Sequence, residues 1–166
     1  MFQLKTLSKE SIPRSLEKAE RYRLLNEPVE AESICLDILN IEPDNQAAMV
    51  MLLLALTDQF DRRLSTALNQ ARELLPRLRN QYQRTYYSGI ISERQAKAWL
   101  HHGGPGSASA AYECFREAMS WFEQAEALCP VGNNDPALRW NTCARIIMRN
   151  PHLQPAWTDK IEQPLE

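Results

Sequence analysis

The stretch Trp99–Pro130, WLHHGGPGSASAAYECFREAMSWFEQAEALCP, decides the fold. It opens on a glycine loop, HGGPG at 102–106, of the kind that presents backbone N–H groups to a reacting oxygen. It continues into a run with apolar residues at three- and four-residue spacing, and it ends on Pro130. If the loop follows a strand, the chain is a mixed α/β protein. If the loop joins two helices, the chain is a stack of helical hairpins.

The loop resembles the oxyanion loop of proline-iminopeptidase-type α/β-hydrolases. That resemblance requires a preceding strand and a later G-x-S-x-G elbow, followed by Asp and His. The residues before the loop, ISERQAKAWLHH, have helical period instead. No G-x-S-x-G occurs, and the one later histidine is His152. No Lys-Ser/Thr pair follows the glycines, so they form no phosphate loop either. Read as a turn, Gly103 ends one helix, Pro105 prevents its continuation, and Ser107 or Ser109 caps the next.

Outward from this stretch the whole chain reads as helix. No alternating strand pattern is sustained, and Pro28, Pro43, Pro76, Pro130, Pro136 and Pro151 break the apolar stripes. Helices are expected at about 12–26, 28–41, 45–59, 61–75, 78–102, 107–129 and 135–149. Pro28 and Pro136 suit the first helical turn. Asp44, Asp61 and Asp135 are the expected caps. The last residues, 151–166, are proline-punctuated and form a tail beyond a domain at 1–150.

Aligned on the prolines, the helices repeat. Ala118, Phe122 and Ala125 precede Pro130; Ala31, Cys35 and Ile38 precede Pro43 at the same offsets; Leu64, Leu68 and Ala71 precede Pro76. Tyr22 stands nine residues before Ala31. This arrangement resembles the tetratricopeptide repeat (TPR), W-x2-L-G-x2-Y then A-x3-F then P over 34 residues. Pro43 to Pro76 is 33 residues; Pro76 to Pro130 is 54, so the third unit carries longer helices around the glycine turn. The Trp and Gly positions of the first-helix signature are not met. The resemblance covers about residues 12–150 and implies an all-α fold: a right-handed superhelix of three hairpins, about seven helices including a cap from Asp135. It further implies a non-catalytic adaptor or scaffold for a protein or peptide. The alternatives are a small secretion-chaperone-like protein, since those chaperones are also three-TPR chains, and an RNA-binding helical repeat. TPR grooves that clamp a terminal carboxylate use Lys and Asn on first helices; Leu16 and Glu20 stand at the matching positions here.

Charge adds a direction. Net charge is −2, yet nine acids face four bases between Glu10 and Asp44, and eight bases face two acids between Arg62 and Lys97. Within the basic part, PRLRNQYQRTYY interleaves arginine and tyrosine. Arg77, Arg79, Arg84, Tyr86 and Tyr87 are therefore the candidate contacts to an acidic partner, with Trp157 of the tail as a further one. The same mix suits single-stranded nucleic acid, but a pI near 6 gives no general pull on phosphate. His101, His102 and the four cysteines lack metal-ligand spacing, so no metal and no cofactor are expected. Cys35, Cys114, Cys129 and Cys143 read as reduced, packed thiols, and Trp99, Trp121 and Trp140 as core. Ala47–Leu56 is too short to span a bilayer, and the N-terminus lacks a secretory pattern. The expected location is cytoplasmic, with homo-oligomers left open.

Overall fold

The computed structural model describes residues 1–156; the Trp157 assignment lies outside them. Seven α-helices follow one another: α1 Ile12–Leu24, α2 Pro28–Ile41, α3 Gln46–Thr57, α4 Phe60–Leu74, α5 Gln81–His102, α6 Ser107–Leu128 and α7 Asp135–Arg149. Short 3-10 turns precede α1 and close α4, and no strand occurs among the described residues. Each helix packs on the next. α1 also touches α3, and α3 touches α5, so these helices share a layer against which α2, α4 and α6 lie; α7 reaches that layer through Arg139 on Glu93 of α5.

The three prolines end even-numbered helices. Pro43 lies in the turn after α2, Pro76 inside the 3-10 turn after α4, and Pro130 just beyond α6. The residues aligned on them point inward: Ala31, Cys35, Ile38, Leu68, Ala71, Ala118, Phe122 and Ala125 are buried, while Leu64 is partly so. Tyr22 packs against the same core from α1. α3 is apolar on nearly every side because α1, α2, α4 and α5 all contact it. Its Met49, Leu52, Leu53 and Leu56 are buried, each worth about 1.5–3 kcal/mol of transfer free energy.

α5 and α6 are the long pair, 22 residues each, and form the most extensive helix contact in the protein. Gly89 makes their approach possible. A Cβ built there would lie 2.5 Å from the Phe122 ring, so the ring lies directly on the α5 backbone. Two large cores result. One spans α1 to α5; the other joins α5, α6 and α7 with Leu153 from the following segment. Tyr87 packs against both. A smaller cluster of Ile12, Ile38 and Ala48 carries Leu7 of the N-terminal arm.

The caps differ from expectation. α3 is capped by Asn45, whose Oδ1 accepts from the Ala48 N–H at 2.9 Å, because its amide is held in place by Glu42. α4 starts one residue early at Phe60. The Gln59 amide before it is turned inward toward Ala55 and Glu32, leaving Asp61 in the first turn. Asp135 is likewise already helical, and its N–H donates to Asn133. Gly106, at φ +77°, takes the cap position of α6. The Ser107 and Ser109 hydroxyls donate backwards to the Gly104 and Gly106 carbonyls rather than capping. Gly103, at φ +66°, ends α5 as expected, so the glycine loop joins helix to helix. Trp99 and Trp140 pack half-buried against the α5–α7 core, the Trp140 indole N–H reaching Glu123 at 2.9 Å, while Trp121 is half-buried outside that cluster. Among the described residues no helix is long and apolar enough to cross a membrane.

Gly89→Ala and Ala118→Leu should each overpack a helix seam and cost about 1–3 kcal/mol. A thermal melt would register this as a Tm lower by roughly 2–10 °C for a domain of this size. An unchanged melt for either variant would show that the α5–α6 seam is not where these residues place it.

Candidate functional site

The arginines of the basic stretch are dispersed by the fold. Arg77 donates to the Pro43 carbonyl at 2.9 Å and so ties the end of α4 to the turn before α3. Arg84 folds back on its own loop, donating to the Leu78 and Arg79 carbonyls at 2.6 and 2.8 Å. Arg79 is well exposed and lies 3.6 Å from Asp44. Tyr86 and Tyr87 are half-buried: Tyr86 stacks on Tyr82, meets Tyr87 edge-on and leans on Phe122. Burial raises the pKa of both hydroxyls, against the pull of Arg139 on Tyr86 and of Arg23 on Tyr87. The fold therefore does not gather these five residues on one exposed surface.

A different set of charges is brought together on the odd-helix layer. Asp58, just past the end of α3, accepts from Arg23 of α1 at 2.7 Å and from Arg94 of α5 at 3.2 Å. Next to Arg94 on α5, Glu93 pairs with Lys97 on its own helix and with Arg139 of α7, the latter at 3.3 Å. The band thus links α1, α3, α5 and α7. Its acids lie deep, Asp58 at 16% exposure and Glu93 at 0%, while Arg94, Arg139 and Lys97 keep 30%, 34% and 39% of their side chains in solvent. The outward charge is consequently positive even though the stretch contains its own carboxylates. Two polar atoms in the band, Glu93 Oε2 and Arg94 Nε, are buried without a hydrogen-bond partner. Burial by itself would lower the Arg139 pKa; the Glu93 carboxylate and the Tyr86 hydroxyl outweigh it and raise it.

Asp58, Glu93 and Arg139 escaped the sequence reading. Glu93 left one trace: it is one of two acids in a basic run, four residues before Lys97 and flanked by Ile90, Ile91, Ala96 and Ala98. Asp58 and Arg139 left none, because their partners lie 35 to 46 positions away.

Elsewhere, Val29 and Leu36 of α2 stay half-exposed along a shallow cleft against α4, beside Glu32, which is bound by Arg63 at 2.6 Å. His101 and His102 are exposed in the last turn of α5. Among the described residues no group of three or more His, Cys, Asp or Glu is placed to hold a metal ion. Burial pushes the Cys35 and Cys143 thiols up to about 12, and Cys114 up to about 11.

Asp58→Ala should leave Arg23 and Arg94 facing each other without a counter-charge, at a cost of about 1–3 kcal/mol. Urea unfolding of Asp58→Ala, Arg23→Ala and the double variant would show coupling between the two sites; strict additivity would mean that the pair is inert. At pH 8 a thiol of pKa near 12 is thiolate in about one molecule in ten thousand, and the fraction rises with pH. Cys35 and Cys143 should therefore resist a thiol-reactive dye until the protein is unfolded. Stoichiometric labelling of either within minutes in the folded protein would contradict their burial.

Compared with protein-family models, with curated proteins and with solved structures, the chain matches none of them.

Proposed function

We propose that the protein is a non-catalytic adaptor of TPR type. Its hairpins would stack in a right-handed superhelix, with the layer of odd-numbered helices as the recognition face for an acidic, apolar-bearing peptide. The observation that carries this reading is the charge band: three half-exposed cations, Arg94, Lys97 and Arg139, held above deeper carboxylates across neighbouring helices. The buried acids fix the cations in place before a partner arrives, so little side-chain freedom is lost on binding. Tyr87 and Leu54, partly buried in the same layer, offer apolar contact beside the charges. A positive face of this kind speeds encounter with an acidic segment and makes the rate sensitive to salt.

The test is a titration with a pair of ten-residue synthetic peptides, identical in their Leu and Trp positions, one carrying Asp and Glu, the other Lys. The acidic peptide should bind, and binding should weaken steeply as salt rises. Arg94→Gln with Lys97→Gln should weaken it by about tenfold, with the thermal melt recorded alongside to separate binding from folding. Equal binding of both peptides, or none of the acidic one at low salt, would refute the reading.

A further inference from the structure

The odd-helix face has an occupant within reach on its own chain. Residues 157–166, WTDKIEQPLE, carry Asp159, Glu162 and Glu166 against one base, Lys160, with Trp157, Ile161 and Leu165 interspersed. We propose that this segment docks on the cationic band of its own chain, where it occupies the face until an external acidic peptide displaces it. The proposal rests on the reading of that face as a recognition surface, and three observations support it.

The first is where the described chain ends. After α7 the backbone is tied down. Leu153 N–H donates to the Asn150 carbonyl at 2.9 Å, the Asn150 amide donates to Ile146 at 2.7 Å, and Leu153 is buried in the core shared by α5, α6 and α7. Leu153, four residues before the segment, thus holds the chain against α5, α6 and α7, and Lys97 and Arg139 belong to two of these helices. The second is length. Ten extended residues reach about 33–36 Å. Packed helices lie about 8–10 Å apart, so crossing from α7 over α5 and α3 to α1 takes three such steps. The segment is long enough to lie along the whole band. The third is charge. Three acids meet three half-exposed cations.

A short tether holds its ligand at an effective concentration on the order of millimolar. Even weak contacts would thus keep the face filled, and a partner would have to outcompete them. The α2 cleft at Val29 and Leu36 is the poorer match for this occupant: of its two bases, Arg62 and Arg63, the second is bound to Glu32 at 2.6 Å, and α2 adds Glu30 and Asp37.

The experiment uses the full chain. Amide spectra are compared between the wild type and a variant carrying Trp157→Ala, Asp159→Asn, Glu162→Gln and Glu166→Gln. Signals of Arg94, Lys97 and Arg139 should move between the two, and independently of protein concentration. A synthetic peptide of residues 157–166, added in trans, should bind the variant at least about tenfold more tightly than the wild type. In the wild type, carbodiimide coupling should join Lys97 to Asp159, Glu162 or Glu166 within one chain, which decides the matter even if the variant misfolds. Spectra that superimpose at those three residues would overturn the proposal. So would changes centred on Val29 and Leu36, or changes that grow with protein concentration and so report a second copy. If the decapeptide fails on the variant while the acidic test peptide binds both chains equally, the tail docking falls and the recognition face stands. If neither peptide binds the variant, both fall.

Discussion

Close approach between helices is the constraint on which the rest of this protein depends. A two-helix hairpin leaves its apolar face open, so each must lie against the next, and that contact is tight only where side chains are small. Ala19, Ala31, Ala71, Ala118 and Ala125 are all fully buried. At Gly89 even a methyl group is too large, because Phe122 fills the space. Given these seams, α3 must be apolar on almost all sides, and its run from Ala47 to Leu56 follows from being surrounded rather than from any contact with lipid.

The uneven distribution of charge along the chain serves this packing first. Basic α4 and α5 come back against acidic α2 and the turns around α3. Arg63 bridges Glu32, Gln59 and Gln70; Arg77 reaches Pro43; Arg79 approaches Asp44; Arg94 reaches Asp58. The backbone of Arg63 departs from helical angles (φ −148°, ψ 56°) where its guanidinium makes this bridge. What remains exposed after that pairing is a local excess of positive charge, on Arg94, Lys97 and Arg139, at the junction of three odd-numbered helices.

Helices, their number and most boundaries could be read from the sequence because their signals are local: proline breaks, apolar spacing, the glycine turn. Their ends fall within about three residues of expectation. The caps could not, since a neighbouring side chain decides them. Glu42 holds Asn45 ready to cap, and the inward turn of Gln59 removes a cap from α4. The charge band lay further out of reach. Arg23 meets Asp58 across 35 positions and Arg139 meets Glu93 across 46, and nothing in local spacing announces either. The basic stretch drew attention to Arg77, Arg84, Tyr86 and Tyr87 by composition, whereas folding commits them to loop carbonyls and to an aromatic stack.

α5 belongs to both large cores, with Ile91 and Ala98 in one and Ile90 and Ala96 in the other. It is a common wall rather than a hinge. Opening either half strips one face of the same helix and exposes backbone amides that the other half also relies on. Slow amide exchange should therefore be concentrated along the centre of α5 and fade toward α1 and α7.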